Sequence, residues 1–269
     1  MKIAEALRQG AKRLREASER PLLEAELLLS HILGRDRVYL HTRGDEVLGS
    51  MELERFWALL ERRAANEPLE YLTGRVSFYG REFLIEPGVL IPRPETELLV
   101  DVVAAELKGD ERLAEIGVGS GAVSVTLKKR FPNLRVIATD ISQKALELAA
   151  KNARLHDTEI ELVHTDLLDG VEDVDVIVSN PPYIAASYPL PPNVAYEPRE
   201  ALIGGERGTE VLERIVELFA GSGARLLACE MGYDQRAAME EVLGRYGLSA
   251  TFYKDLAGLD RGFVAKKER

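Results

Sequence analysis

The spacing of apolar residues changes along the chain. Over the first 72 residues it is helical: Ile3, Ala6, Leu7, Ala11 and Leu14 recur three and four apart. Pro21 suits a first helical turn, and an apolar run over 22–33 follows it and closes at Gly34. A further helix is expected over 51–66, with Leu53, Phe56, Trp57, Leu60 and Ala64 on one face. No strand-like alternation occurs here, so residues 1–72 read as a small all-helical domain. Two short strands, 75–79 and 82–85, are then expected around Gly80. This hairpin makes residues 73–88 a linker, and Pro87, Pro92 and Pro94 punctuate the chain near its end.

Residues 89–269 alternate between the two periods. Helices are expected at 96–107, 122–130, 143–155, 208–219 and 235–246. Between them fall strands at 112–116, 135–139, 160–163, 174–179 and 224–229. Two closing strands, 248–254 and 262–265, have little between them and suit an antiparallel edge. The expected fold class is α/β: a Rossmann-like, mostly parallel sheet with helices on both faces, preceded by the helical domain.

Composition narrows the function. With 46% of 269 residues hydrophobic, the chain can bury one large core or two modest ones. No stretch approaches the roughly 20 apolar residues that span a bilayer, and the first ten lack the pattern of a signal peptide. Cys229 is the single cysteine, which excludes an internal disulfide or a thiolate zinc cluster and fits a reducing compartment. A cytoplasmic monomer is the expectation, with no membrane partner. The net charge is −10. Residues 1–72 hold 12 basic and 13 acidic side chains, so 23 basic and 32 acidic remain for the sheet region. That excess argues against a long nucleic acid as direct partner.

The first sheet strand runs into Gly117-Val118-Gly119-Ser120-Gly121, with a helix behind it. Such a strand–glycine loop–helix unit lets a ligand approach the backbone, although the same loop can be only a tight turn. Asp140, 19 residues beyond Gly121, ends the next strand, where a carboxylate can accept from two ribose hydroxyls. The spacing G-x-G-x-G, in place of G-x-G-x-x-G, favours S-adenosylmethionine (SAM) over a pyrophosphate-bearing dinucleotide. Asp166 and Leu167 follow the third strand, where an acid can accept from an adenine amine and the leucine can cover the ring or donate its N–H. Taken alone Asp166 reads as an ordinary turn aspartate, but its position relative to Gly117 and Asp140 favours the cofactor.

The fourth strand runs straight into Asn180-Pro181-Pro182-Tyr183, at the edge where open α/β sheets bind ligands. Two prolines fix the backbone and remove two donors, leaving carbonyls aimed in set directions. Asn180 adds a side-chain acceptor and Tyr183 a ring and a hydroxyl. This array suits a planar –NH2 group, with Asn180 and the Pro181 carbonyl each accepting one N–H. The nitrogen lone pair then faces the sulfonium methyl, and catalysis is positioning and electrostatics. A turn after a buried strand is the alternative.

Glycine loop, Asp140 and N-P-P-Y together resemble SAM-dependent methyltransferases that modify amino groups. Within that class the whole chain resembles the HemK/PrmC protein-glutamine methyltransferases. The resemblance is carried by P-L-E-Y-L-T-G (68–74), F-Y-G (78–80), I-P-R-P-E-T-E (91–97), N-P-P-Y and Y-E-P-R-E-A-L (196–202). It implies that the substrate is the glutamine of a Gly-Gly-Gln loop in peptide chain release factors. It also implies that Asn180 to Tyr183 hold the glutamine amide. Gly117 to Gly121, Asp140 and Asp166-Leu167 would hold SAM, with Asn180 close to both. Glu115 stands where the family usually has aspartate, Val118 where it has a hydroxyl residue, and Leu167 where some relatives carry an aromatic.

Other residues carry weaker signals. Arg93 and Glu95 suit either the mouth of the site or the start of a helix. Phe78 and Tyr79 could flank the glutamine or merely pack. The proline-rich stretch 184–207 reads as a substrate-covering loop, with Arg199 as a structural or peptide-contacting cation. His31, His41, His156 and His164 read as surface or packing residues away from the strand-end motifs, and no metal is expected. Two other functions fit the fold: an amino-methyltransferase acting on a flipped base, and a non-catalytic SAM-binding scaffold. The charge and I-P-R-P-E-T-E oppose the first, and the intact N-P-P-Y opposes the second.

Overall fold

The computed structural model describes residues 1–267. It divides into two compact units, residues 1–75 with 191–196, and residues 76–190 with 197 onward.

The first unit is helical: α1 (Ile3–Arg13), α2 (Pro21–Leu33), α3 (Arg37–Thr42), α4 (Ser50–Ala64) and α5 (Leu69–Thr73). Ile3, Leu7, Leu14, Leu28, Leu29, Phe56 and Leu60 form its core. Gly10 lets α1 approach α4, because a Cβ there would stand 3.0 Å from the Phe56 ring. The periodicity did not reveal α3 or α5, each too short to show two turns of pattern. A capping signal for α3 was present: the Asp36 carboxylate accepts from Tyr39 N at 2.8 Å.

The hairpin β1 (Arg75–Phe78) and β2 (Arg81–Leu84) comes next, and from Val76 on it belongs to the second unit. Tyr79 and Gly80 both have positive φ, 50° and 69°, the requirement of a type I′ turn. A tyrosine in this region is strained and needs support. Tyr79 N donates to Glu97 at 2.7 Å and its hydroxyl to Asp101 at 2.6 Å. Phe78 packs edge-on against Phe83. Both hairpin aromatics are therefore anchors.

Then come α6 (Thr96–Ala104), β3 (Arg112–Ile116), α7 (Ala122–Arg130), β4 (Arg135–Asp140), α8 (Gln143–Leu155), β5 (Glu161–His164) and β6 (Val176–Ser179). They are followed by β7 (Ile184–Ala185), β8 (Ile203–Gly205), α9 (Glu210–Gly221), β9 (Leu226–Glu230), α10 (Arg236–Arg245), β10 (Ser249–Lys254) and β11 (Asp260–Lys266). The large sheet has the order β10-β11-β9-β6-β3-β4-β5. Its β5, β4, β3, β6 and β9 are parallel, and β11 and β10 add the expected antiparallel edge. Alternate side chains feed two cores. Leu113, Val176, Val178 and Leu226 pack with α6 and α7, while Ala114, Ile177, Leu227 and Cys229 pack with α9 and α10. The sheet is thus apolar on both faces.

Two features differ from the loop expected over 184–207. Ile184–Ala185 pairs in parallel with Ile203–Gly205, and short 3-10 turns occur at Val194–Tyr196 and Arg199–Ala201. Strands this short carry no readable alternation. Within the first unit the Tyr196 hydroxyl donates to the Ala65 carbonyl at 2.9 Å.

Candidate functional site

Chain order reverses between β3 and β6, which lie side by side. That switch point opens a crevice at the strand ends. Register decides what fills it. Ile116 lies opposite both Thr139 and Ser179. The next residues, Gly117, Asp140 and Asn180, therefore stand level on three adjacent strands. A cavity of about 320 Å³ lies there, lined by Gly117, Gly119, Asp140, Asp166, Leu167, Asn180, Pro181 and Pro182 among others.

Gly117 and Gly119 have φ of 76° and 53°, and a Cβ on either would meet nothing within 4 Å. The floor beneath the cavity is thus bare backbone. The other loop residues sit behind it. Val118 is buried against Ala138, Leu146 and Ala149. A Cβ on Gly121 would come within 3.2 Å of Ala149, so this glycine serves close packing of α7 on α8. The Ser120 carbonyl accepts from Asn152 Nδ2 at 2.8 Å. Asn152 also exchanges hydrogen bonds with the Leu84 backbone, tying the glycine loop to the hairpin.

The Asp140 carboxylate accepts from Gly119 N at 3.0 Å and Ser142 N at 2.8 Å. Burial raises its pKa above the ordinary carboxylate value, against the pull of those N–H groups. Hydroxyl donors from a bound ribose would add the hydrogen bonds that a desolvated carboxylate lacks. His164 ends β5 opposite Asp140, contrary to the expectation that no histidine lies at a strand end beside the motifs. Its ring engages the Ile141 carbonyl at 2.9 Å.

Asp166 is paired with Arg214 of α9 at 2.6 Å, both side chains being about half exposed. A pair this wet is worth under about 1 kcal/mol, so the carboxylate remains available to a ligand. Leu167 has φ of 49°, and the Thr139 hydroxyl holds its carbonyl at 2.6 Å. Glu115, at the end of β3, is fully buried and accepts from the Ser124 amide and hydroxyl. Burial pushes its pKa up to about 8.

The N-P-P-Y loop is held by backbone contact. A Cβ on Gly204 of β8 would lie 2.4 Å from the Pro182 oxygen, and one on Gly208 2.5 Å from the Tyr183 oxygen. The Tyr183 carbonyl accepts from Gln235 Nε2 at 2.8 Å. Tyr183 does not line the cavity; its hydroxyl donates to Glu230 Oε1 at 3.1 Å. Asn180 Nδ2 donates to Thr96 Oγ1 at 3.1 Å. With its NH2 so engaged, Asn180 keeps Oδ1 as acceptor for the cavity. Arg93 also lies away from the lining and pairs with Glu197, which is nearly inaccessible. The second Glu197 oxygen accepts from Ile91 N at 2.9 Å. This joins I-P-R-P-E-T-E to Y-E-P-R-E-A-L and secures Pro198, Glu200 and Ala201 in the cavity wall. Glu95 precedes α6 as its N-cap without a side-chain cap bond, and Arg199 is exposed.

Residues 5–74 match the family model described as the PrmC N-terminal domain, and residues 93–191 that of the methyltransferase small domain. The release factor glutamine methyltransferase of Koribacter versatilis is 37% identical over 99% of both chains. That of Moorella thermoacetica is 39% identical over 98% of both. The chain belongs to the release factor glutamine methyltransferase family. The solved E. cuniculi Mtq2–Trm112 complex, described as responsible for methylation of the termination factor eRF1, shares the fold. Its TM-score is 0.51 at 24% identity, over 67% of this chain and 99% of that one.

Sequence reasoning passed over Thr96, Asn152, Gly204, Glu230 and Gln235. Glu230 had a readable signal, an acid at the C-terminal end of a buried strand on the ligand-binding edge. The others act through partners far along the chain, and no local pattern marks them.

Proposed function

We propose that this chain transfers a methyl group from SAM to the side-chain amide nitrogen of the glutamine in a Gly-Gly-Gln loop of a peptide chain release factor. The observation that carries the reading is the level placement of Gly117, Asp140 and Asn180 around one cavity. A bare glycine floor, a half-buried carboxylate and apolar Leu167 fit a nucleoside. SAM supplies an electrophilic sulfonium methyl when bound.

The chain's own residues then act on the acceptor. Asn180 Oδ1 and the Pro181 carbonyl accept the two amide N–H bonds and fix the nitrogen. Holding both hydrogens out of the amide plane weakens its resonance and turns the lone pair toward the methyl. As the N–C bond forms, the methyl–sulfur bond would break with its electron pair returning to sulfur as a neutral thioether; the nitrogen becomes acidic, and its proton passes to water without a strong base. Tyr183 supports the loop from behind. Asp140 orients the ribose, and Asp166 with Leu167 covers the adenine. Residues 1–72 grip the release factor, residues 73–88 link the two regions, and 89–269 carry the chemistry. A protein partner agrees with the charge of the sheet region, 23 basic against 32 acidic residues, which opposes a long phosphate chain. No described helix is long and apolar enough to cross a membrane. A cytoplasmic site of action agrees with the buried free thiol of Cys229.

The test incubates the protein with labelled SAM and, in parallel, a release factor, its Gly-Gly-Gln variant with alanine for glutamine, and total RNA and DNA. Label is expected in the unaltered release factor alone. Label in nucleic acid and none in the factor sinks the reading. Asn180→Ala should lower turnover by roughly 10²- to 10³-fold, the cost of losing one oriented polar group at a reacting centre.

A further inference from the structure

Behind the N-P-P-Y loop lies a buried carboxylate that is not part of the cavity lining. Glu230, the last residue of β9, is 2% exposed and Thr96 is 3% exposed. Three hydrogen bonds run through them. Tyr183 donates to Glu230 Oε1 at 3.1 Å, Thr96 Oγ1 donates to Oε2 at 2.8 Å, and Asn180 Nδ2 donates to Thr96 Oγ1 at 3.1 Å.

The direction of this chain of bonds is set by its chemistry. An ionised carboxylate only accepts, so Thr96 must spend its single hydroxyl proton on Glu230. Its oxygen then has only lone pairs for Asn180, which must present NH2 to it. The acceptor Oδ1 is left on the cavity side. With Glu230 protonated, the carboxyl could donate to Thr96, which could then donate to Asn180 Oδ1. The amide would turn over and set its own NH2 against the NH2 of the substrate.

We propose that Glu230 is a positioning residue for methyl transfer: through Thr96 it fixes the polarity of the Asn180 amide so that Oδ1 faces the substrate nitrogen. The proposal rests on the reading of Asn180 as the residue that holds the substrate amide. It explains why an acid stands at a site where burial is costly. It also gives the threonine of I-P-R-P-E-T-E a function.

Burial lifts the Glu230 pKa to about 7, against the hydrogen bonds from Thr96 and Tyr183. Glu95 at the start of α6 raises it further and Arg261 of β11 lowers it. Tyr183 and Tyr253 of β10 also face it and stay neutral, since burial and then the Glu230 charge push both phenols up. The ionised, correctly polarised network therefore prevails above about pH 7, and turnover should fall as pH drops through that value.

The experiment measures turnover by the full chain with a purified release factor and labelled SAM, and SAM binding by calorimetry. Thr96→Val removes the hydroxyl and should lower kcat by about 10- to 100-fold, as expected for a misoriented reacting group. SAM affinity should stay within about threefold, because neither Thr96 nor Glu230 lines the cavity. Thr96→Ser restores the hydroxyl and should return kcat to within about threefold of wild type. Glu230→Gln should abolish the acid limb of kcat. Wild-type kcat in Thr96→Val overturns the proposal, as does an equal loss in Thr96→Ser. An acid limb that persists in Glu230→Gln, or is absent from the wild type, also overturns it. Should Glu230→Gln fail to fold, the two Thr96 variants decide. Asn180→Ala separates the two levels: full activity there defeats the underlying reading, whereas an inactive Asn180→Ala beside a fully active Thr96→Val defeats only the relay.

Discussion

Replacing Gly204 by alanine tests whether backbone contact beneath the N-P-P-Y loop sets the geometry of the site. The added Cβ would stand 2.4 Å from the Pro182 oxygen and 2.6 Å from the Gly208 oxygen, both backbone atoms. Ordinary contact begins near 3.4 Å, so the Pro182 carbonyl must retreat by about 1 Å (3.4 minus 2.4) or β8 must move as far. Overpacking of this kind costs about 1–3 kcal/mol of stability. For a chain of this size that lowers the melting temperature by roughly 2–10 °C. The catalytic cost is larger in proportion, since a shift of about 1 Å at a reacting group lowers the rate by roughly 100-fold. Gly117, Gly119 and Asp140 are not in the clash, so SAM affinity should change by less than about fivefold. Steady-state kinetics with a release factor, calorimetry with SAM and a thermal melt read the three effects. A Gly204→Ala protein with wild-type kcat and an unchanged melt refutes the argument. So does one whose loss of rate merely tracks loss of SAM affinity.

Asp140→Ala should weaken SAM binding by about 100-fold, since two hydrogen bonds to a charged acceptor contribute about 3 kcal/mol together; calorimetry showing unaltered affinity would remove Asp140 from the cofactor site. Glu111 tests acid stability. Burial raises its pKa, but the N–H groups of Lys108 and Gly109 and its own, with Arg225, outweigh that and hold it at about 2. A folded-state pKa below the ordinary 4.5 stabilises the fold above pH 4.5, and that stabilisation disappears as pH falls through about 2. Glu111→Gln should therefore cost about 2–3 kcal/mol at pH 7 by chemical denaturation, with the difference shrinking between pH 4.5 and 2. A cost independent of pH across that window would show that the charge is not responsible.

Local interactions made much of this protein legible. The 3.6-residue period of α1, α2 and α4, the strand–helix alternation of the second unit and the strand–glycine loop–helix unit are all set by residues a few positions apart. Gly117 to Gly121, Asp140 and Asn180 to Tyr183 could each be named because each lies at or directly after the end of a strand. Function was legible for a related reason. A fixed row of acceptors after a buried strand suits a planar amine, and the wider motifs resemble a family whose substrate is a glutamine.

Tertiary structure decided which of those residues share a cavity. Strand register sets Gly117, Asp140 and Asn180 level, while Val118, Ser120, Gly121 and Tyr183 turn inward and serve the scaffold. It also decided the supports: Arg93 with Glu197, 104 positions apart, and Thr96 with Glu230, 134 apart. Gly204 is needed because the Pro182 and Gly208 carbonyls lie over it, and Gly208 because the Tyr183 carbonyl does and its own φ is 83°. Hydrogen-bond partners and close backbone approaches are properties of pairs brought together by the sheet. Which residues pair is not marked in the chain until it has folded.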